Sequence, residues 1–232
     1  MIHRKLVQFA RYNHHTLYWP AIPKNPVVVD LGGNRGGFSR AISKFYNVRG
    51  VIVEPVPDLY NALIAPNGME TRNVAVADKD GSVRISISSQ EDCHRIGVPL
   101  DGITLGTIEV QSVSLMTLLQ EHDISTVDVL KIDIEGSELE VLNSLPDDLL
   151  VKVSQATIEF HSAFGAYPES MVDNFVARMH RLNFYCFDFL GGRYADCLFI
   201  NRRRCNLGPF HRAFLRHVSQ RLMWRLPYVP NT

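Results

Sequence analysis

The sequence lacks the segments that carry a chain into or across a membrane. No apolar run reaches the ~18 residues needed to span a bilayer. The first fifteen residues, MIHRKLVQFARYNHH, have neither the apolar core nor the small-residue cleavage site of a secretory signal. The four cysteines form no C-x-x-C pair, and no N-x-[ST] acceptor occurs. These absences indicate a reduced, cytoplasmic setting, and attachment to the inner face of the membrane is left open.

Acidic residues are missing from both ends of the chain. Residues 1–25 contain four Lys or Arg and no acid, and residues 202–232 contain seven Arg and no acid. All 24 acids therefore lie in 26–201, where they exceed the 13 remaining bases by 11. The split indicates a folded domain over 26–201, flanked by a basic N-terminal segment and a basic C-terminal tail.

From residue 26 the chain alternates strand and helix patterns. Short apolar runs alternate with segments that carry apolar residues at helical spacing. Repeated β-α-β units, then a hairpin around Gly191-Gly192, predict an α/β fold: an open, doubly wound, mostly parallel sheet with an antiparallel C-terminal hairpin strand. Residues 70–78 are interpreted as one strand and 89–107 as a loop. Ligands bind beyond the carboxyl ends of such strands, where the sequence has Asp30, Glu54, Asn73, Asp133 and His161.

A glycine-rich turn follows the first of these strands, in VVVDLGGNRGGFS, residues 27–39. Its spacing departs from the dinucleotide fingerprint G-x-G-x-x-G, because Asn34 stands where the middle glycine would admit a pyrophosphate. A carboxylate of Asp30 at the mouth of the turn would repel phosphate and attract an ammonium group. The turn therefore suits S-adenosylmethionine, which carries an ammonium and a sulfonium but no phosphate.

Glu54 ends the second strand, 24 residues after Asp30, where its carboxylate can accept hydrogen bonds from ribose hydroxyls. Because NAD contains the same ribose, an NAD-dependent oxidoreductase stays an alternative. A non-catalytic module that keeps the fold and docks a biosynthetic partner is another. We expect the cofactor to contact the turn and the strand ends near it: Asp30, Gly32, Gly33, Asn34, Gly36, Phe38, Glu54, Pro55, Asn73 and Asp133.

Five segments of the chain resemble the FkbM family of S-adenosylmethionine-dependent methyltransferases. They are DLGGNRGGFS, VEPVPDLY, NVAVADKDGSV, LKIDIEGSELEVL and IEFH, in family order between residues 30 and 161. The resemblance implies a seven-stranded, Rossmann-like sheet with its last pair reversed. It also implies methyl transfer to a hydroxyl of a sugar, glycolipid or other natural product. Residues 109–119 depart from the family by lacking an acidic pair, and both basic ends lie outside the shared region.

The same resemblance implies that the KIDIEG strand lies beside the first strand and beside TIEFH. Alternating positions then bring five side chains to one end of the sheet: Lys131, Asp133, Glu135, Glu159 and His161. We interpret this end as the methyl-acceptor side, with His161 or Asp133 as general base and Lys131 as a counter-ion. Glu135 is either catalytic or a cap of the following helix. Glu159 could orient His161 or Lys131.

A divalent metal is an alternative for this end of the sheet. The carboxylates and the imidazole of Asp133, Glu135, Glu159 and His161 would form a magnesium set rich in oxygen ligands. Their spacing is not specific to a metal, so the preferred interpretation has S-adenosylmethionine as the cofactor.

The basic tail predicts an amphipathic helix from about Pro209, within residues 202–227 and with Phe210 and Phe214 on its apolar stripe. Such a helix can lie on an anionic membrane, pack on the domain with the N-terminal segment beside it, join two subunits of a homodimer, or steer an acidic acceptor. Nucleic acid is disfavoured as a partner, because no N-P-P-[YF] motif and no aromatic-interleaved basic stretch occur in the domain. His14 and His15 are interpreted as surface or anion-facing residues.

Overall fold

A seven-stranded sheet forms the centre of the molecule, in a computed structural model that describes residues 9–88, 95–96, 104–190, 194–205, 207–217 and 228–229. Its strands are, in spatial order, β5 Met69–Arg72, β4 Arg49–Val53, β3 Val27–Leu31, β10 Val127–Ile132, β11 Val153–Ile158, β13 Cys197–Asn201 and β12 Phe184–Asp188. Neighbours pair in parallel, except that β13 runs antiparallel to both β11 and β12. The predicted α/β sheet with an antiparallel C-terminal strand is confirmed, although Gly191-Gly192 lies outside the described residues.

Helices cover both faces of this sheet, because the side chains of its strands alternate between two cores. Val29 and Leu31 point into one core, and Val28 points into the other. The first core contains buried residues of α3 Leu115–Glu121, α4 Glu138–Ser144, α5 Asp147–Leu150 and α6 Glu169–Arg181. The second contains those of α1 Gly37–Ser43 and α7 Pro209–His217. Apolar burial on both faces is typical of a mostly parallel sheet.

A second, mostly antiparallel sheet lies between β5 and α3 in the chain. It contains β6 Ala75–Ala77, β7 Gly81–Ser88, β8 Arg95–Ile96 and β9 Thr104–Ser114, in the order β6-β9-β7-β8. Ile85 of β7 packs with Leu59 of helix α2, Pro57–Asn61. The single strand predicted over 70–78 is wrong, because the chain leaves the central sheet after Arg72 and Ala75 pairs with β9 instead. The loop predicted over 89–107 is wrong over 95–96 and 104–107, which belong to β8 and β9, and its remainder lies outside the described residues.

The basic N-terminal segment contains a β-hairpin. Its strands are β1 Phe9–Tyr12 and β2 His15–Tyr18, and β14 Tyr228–Val229 pairs with β1 in parallel. Asn13 and His14 form its two-residue turn with φ of 45° and 71°, as the right-handed twist of a hairpin favours. The ring of Phe9 lies 6.4 Å from that of Phe214 in α7. The N-terminal segment therefore packs beside the C-terminal helix, which is one of the arrangements considered for it.

Helix α7 contacts the domain through a face that coincides only in part with the predicted stripe. Leu215 is buried and Phe214 packs against the second core, whereas Phe210 is 70% exposed. The most buried position of the helix is therefore Leu215, one residue after Phe214, whereas the predicted stripe begins at Phe210 and repeats every four residues. No helix within the described ranges is both long enough and apolar enough to cross a bilayer.

Candidate active site

The glycine-rich turn packs against the end of β10. Gly32 has φ of +75°, and a Cβ placed on it would come within 1.8 Å of the carbonyl oxygen of Asp133. Gly36, just before α1, has φ of +80°, which side chains other than glycine rarely adopt. The backbone amide of Gly33 donates a hydrogen bond to Val53 O at 2.9 Å. The glycines thus bring the turn into contact with both neighbouring strand ends.

Asp30 lies beneath this turn rather than at its mouth. Its side chain has no exposed surface, and Oδ2 accepts a hydrogen bond from the Ser39 hydroxyl at 2.7 Å. Lys131 Nζ lies 3.4 Å from Oδ1 and donates to Leu31 O at 3.1 Å. Burial would lower the pKa of Lys131, but the charges of Asp133 and Asp30 outweigh burial and raise it. Lys131 is therefore a buried counter-ion, which is the role expected of it.

Glu54 joins the second strand end to the turn. Its carboxylate is 4% exposed and accepts hydrogen bonds from the amides of Asn34, at 2.8 Å, and Val56, at 2.9 Å. Burial raises the pKa of Glu54, although these two hydrogen bonds act to lower it. Asn73 does not point at the turn; its amide donates to the carbonyls of Glu54, at 2.8 Å, and Pro55, at 3.1 Å. Asn73 therefore holds the chain that carries Glu54.

The predicted acceptor side forms a compact group, which we name the strand-end cluster: Asp133, Glu135, Glu159 and His161. His161 begins a short 3-10 helix, His161–Phe164, directly beyond β11. Its Nε2 lies 3.1 Å from Glu135 Oε2 and 4.0 Å from Asp133 Oδ1. Glu159 follows β11, and its amide donates to Ile132 O of β10 at 3.0 Å. The pairing of β10 with β11 therefore brings the two strand ends together, as predicted.

Glu138 is a further member of the site, and sequence reasoning missed it. It has no exposed surface, and its Oε1 lies 2.9 Å from His161 Nδ1. The same oxygen accepts hydrogen bonds from the amides of Ile134 and Gly136, while Oε2 accepts one from the Tyr167 hydroxyl at 2.7 Å. Glu138, rather than Glu159, orients His161. Glu135 points to His161, so the capping role considered for it is not observed.

The ionisable groups of the strand-end cluster differ in their protonation. Burial alone would lower the pKa of His161, but hydrogen bonds to Glu135 and Glu138 raise it to about 11. Burial, followed by the charge of Asp133, raises the pKa of Glu159 to about 7. At neutral pH His161 is therefore an imidazolium that cannot accept a proton, whereas Glu159 exchanges its proton near neutrality.

His15 also reaches this site, although it was interpreted as a surface residue. It is 2% exposed, and its Nε2 lies 3.5 Å from Asp133 Oδ2. Its Nδ1 lies 3.4 Å from the hydroxyl of Thr157, and its ring meets Phe38 edge-on at 5.6 Å. The surface interpretation is wrong because the N-terminal hairpin folds onto the sheet. Phe38 itself is 2% exposed and belongs to the core.

The four-residue magnesium set does not form as one group. Glu159 lies with His15 and Asp133, whereas Glu135 lies with Asp133 and His161, each set having its ligand atoms within 4.8 Å. Both nitrogens of His161 already face carboxylates, at 2.9 Å and 3.1 Å. Magnesium takes oxygen ligands in near-octahedral geometry, and these mixed sets do not fit it.

The charge of the site fits S-adenosylmethionine, whose ammonium, sulfonium and carboxylate leave it with a positive net charge. Around the crevice between β3, β10 and β11 lie five carboxylates and two cations: Asp30, Asp133, Glu135, Glu138, Glu159, Lys131 and His161. The net charge of these seven groups is negative even when Glu159 is protonated. Oδ1 of Asp30 is buried and makes no hydrogen bond within the described part of the chain, but Lys131 lies 3.4 Å from it and counters its charge. The crevice also lies where the order of strands reverses, next to β3 and β10.

The chain is similar to solved structures that share little sequence with it. It is similar to the Methanococcus jannaschii fibrillarin pre-rRNA processing protein, with 10% identity, coverage of 78% of this chain and 67% of that one, and a TM-score of 0.46. It is similar also to a TehB-like SAM-dependent methyltransferase from Corynebacterium glutamicum, with 13% identity, coverage of 78% and 82%, and a TM-score of 0.40. No curated protein matches the sequence.

A family model supplies the assignment that the distant structures cannot. The methyltransferase FkbM domain matches residues 30–186, more than half of the chain. The match begins at Asp30 and includes the glycine-rich turn, Glu54 and the whole strand-end cluster. It excludes the NAD-dependent oxidoreductase considered from the turn and Glu54 alone. The chain belongs to the FkbM family of S-adenosylmethionine-dependent methyltransferases.

Proposed function

We propose that this enzyme transfers the methyl group of S-adenosylmethionine to a hydroxyl oxygen of a sugar, glycolipid or other natural product. The observation that supports an oxygen acceptor is Glu159, a carboxylate with a pKa of about 7 beside Asp133 at the ends of two adjacent strands. A hydroxyl must lose its proton as the new bond forms. A base whose pKa lies near the working pH gives roughly 10²–10⁴-fold acceleration of such a step.

In this proposal, some residues of the chain bind and orient the substrates and others transfer the proton. S-adenosylmethionine, when bound, supplies a methyl group on an already activated sulfonium. The protein must then hold the acceptor oxygen in line with that methyl group, and orientation of this kind supplies ~7–11 kcal/mol. Glu159 takes the proton of the acceptor hydroxyl. Asp133 stays ionised, because Lys131 and His15 outweigh the effect of its burial and lower its pKa.

His161 has a supporting role in this scheme. Its imidazolium is paired with Glu135 and Glu138, so it fixes the two carboxylates and cannot serve as the base in this protonation state. Glu159 is therefore the proposed base, in place of His161 or Asp133, which the sequence indicates. Asp133 is disfavoured as base because a lowered pKa makes its carboxylate a weak proton acceptor.

The cofactor would lie against the glycine-rich turn, with Glu54 and Asp133 on either side of it. Glu54 would accept from ribose hydroxyls, since each carboxylate oxygen that holds an amide has a second lone pair. Asp133 would face the ammonium or the sulfonium.

The basic ends bear on the choice of acceptor. Residues 202–204 are three consecutive arginines, and no acid follows them in the chain. Positive charge of this kind would favour an acceptor held at an anionic membrane surface, such as a glycolipid on the inner face of the membrane, or an acidic glycan. The alternative role of the same tail is to pack between the two subunits of a homodimer.

The proposal is tested by methyl transfer from S-adenosylmethionine that carries a tritiated methyl group. The purified protein is incubated with separate lipid and glycan fractions, and the labelled product is treated with alkali. A methyl ether keeps its label, whereas a methyl ester loses it as methanol. Alkali-stable label in a nitrogen-free product, formed equally with chelator present, supports the proposal. Label on nitrogen or on a carboxyl group contradicts it, and no transfer at all points to the non-catalytic docking module.

A further inference from the structure

The N-terminal hairpin is fastened to the sheet by two buried polar side chains. Asp196, 1% exposed, accepts hydrogen bonds from the amide of Thr16 at 3.0 Å and from its hydroxyl at 2.6 Å. Arg11 donates to the same carboxylate at 2.6 Å. On β11, Gln155 accepts from the amide of Tyr18 at 3.0 Å and donates to its carbonyl at 3.4 Å. Because Thr16 and Tyr18 follow His15 on β2, these anchors fix the position of His15 along β11.

The turn of the hairpin also lies against the start of α1. A Cβ placed on Gly37 would come within 2.9 Å of the Asn13 side chain. The hairpin therefore borders the glycine-rich turn at one end and the end of β11 at the other. Residues outside the predicted 26–201 domain thus form one wall of the crevice.

His15 and Lys131 approach the same oxygen of Asp133. His15 Nε2 lies 3.5 Å from Asp133 Oδ2, and Lys131 Nζ lies 3.6 Å from it. The other oxygen, Oδ1, lies 4.0 Å from His161 Nε2, on the side of the strand-end cluster. Thr157 lies 3.4 Å from Nδ1, the second nitrogen of His15, so Nε2 is the nitrogen that faces Asp133.

We propose that His15 is a positioning residue that holds Asp133 Oδ2 and thereby turns Oδ1 toward the bound cofactor and acceptor. The contact between His15 and Asp133 is seen in the geometry of the hairpin. The effect of that contact on cofactor binding and methyl transfer rests on the proposed function. The partner of this contact is the chain's own N-terminal hairpin, so the reaction site depends on a segment that precedes the matched family domain.

The first test is a double-mutant cycle on the binding of S-adenosylhomocysteine, measured by calorimetry. His15→Phe keeps the ring against Phe38 and removes both nitrogens, and it should weaken binding about fivefold, as expected for loss of one polar contact of the strength of an ordinary hydrogen bond. In an Asp133→Asn background the same change should have less than about a twofold effect. His15→Gln, whose Nε2 can donate from a similar place, should keep most of the affinity for S-adenosylhomocysteine that His15→Phe loses. Equal effects in both backgrounds would overturn the inference.

A neighbouring residue gives the matched control. His14→Asn changes the exposed turn residue next to His15 while keeping a side chain that tolerates positive φ. It should bind S-adenosylhomocysteine like the wild type. Weakening equal to that of His15→Phe would show a general effect of the hairpin and contradict a specific role for His15.

A second measurement needs no ligand and separates this inference from the proposed function. The ¹⁵N resonances of the His15 ring, assigned by comparison with His15→Gln, should show a proton on Nε2. They should shift in Asp133→Asn and stay unchanged in Glu140→Gln, which alters an exposed side chain of α4. Unchanged resonances in Asp133→Asn would overturn the contact. Failure of the wild type to bind S-adenosylmethionine, with this shift present, would count against the proposed function alone.

Discussion

Nδ1 of His161 lies 2.9 Å from Oε1 of Glu138, a carboxylate that has no exposed surface. Glu138 also receives hydrogen bonds from two backbone amides of the turn after β10 and from the hydroxyl of Tyr167. The strand-end cluster is thus held together by an acid on the helix behind it. A buried carboxylate is tolerated only where it is paired and hydrogen-bonded, and here its partners are site residues.

Replacement of Glu138 by Gln should destabilise the protein. The amide cannot satisfy the two backbone amides, the imidazolium and the Tyr167 hydroxyl together, so at least one buried donor loses its acceptor. We expect the free energy of unfolding to fall by about 1–3 kcal/mol, measured by urea denaturation. Glu140→Gln, on the exposed side of the same helix, should change it by less than about 0.5 kcal/mol. Equal losses in the two variants would show that the buried network does not stabilise the fold.

The raised pKa of His161 predicts how its contribution to stability varies with pH. The pKa is about 11 in the folded protein against an ordinary value of 6.5. Its ion pairs therefore contribute fully below pH 6.5, and the contribution declines as the pH rises toward 11. The difference in unfolding free energy between the wild type and His161→Gln should shrink from pH 6 to pH 9, by at most about 1.4 kcal/mol per pH unit. A difference that grows with pH would contradict the charged form of His161.

Glu159 should set the acid limb of the pH–rate profile. A base works when deprotonated, so kcat/KM should rise with pH through about 7, the pKa of Glu159, and level above it. Glu159→Gln should lose this limb and reduce the rate at the plateau by roughly 10²–10⁴-fold. Its affinity for S-adenosylhomocysteine should stay close to that of the wild type. An unchanged limb in Glu159→Gln would assign proton transfer to another group.

Gly32 should not tolerate alanine. The added Cβ would lie 1.8 Å from the carbonyl oxygen of Asp133, and φ of +75° is unfavourable for any residue with a Cβ. We expect a loss of roughly 2–5 kcal/mol in the free energy of unfolding, visible as a lower melting temperature. Gly106→Ala is the control, since a Cβ there meets nothing within 4 Å. Similar melting temperatures for the two variants would contradict the packing of the turn on β10.

Strand ends were the most predictable part of the site, because repeated β-α-β units predict a parallel sheet and the family resemblance implies the order of its strands. Lys131 pairs with Asp30 on one side and Thr157 on the other, as the implied order requires. Side-chain direction was less predictable. Asp30 points beneath the turn to Ser39 and Lys131, and the sequence contains no signal that a carboxylate at a strand end is already paired.

The N-terminal hairpin could not be predicted for a local reason. Its turn is Asn13-His14, whereas two-residue hairpin turns are usually marked by Asn-Gly or Asp-Gly. Basic composition instead grouped these residues with the tail, so His15 was taken for a surface residue. Glu138 was missed for another reason: the helix has acids at 138 and 140, and periodicity alone does not say which one finds buried donors.

Calorimetric titration of the wild-type protein with S-adenosylmethionine, S-adenosylhomocysteine and NAD tests most directly whether the crevice selects a cationic sulfur ligand. We expect the two sulfur compounds to bind with dissociation constants on the order of 1–100 µM, the range common for enzyme substrates, and NAD to give no heat of binding. Binding of NAD, or silence with both sulfur compounds, would contradict a negatively charged crevice built for S-adenosylmethionine.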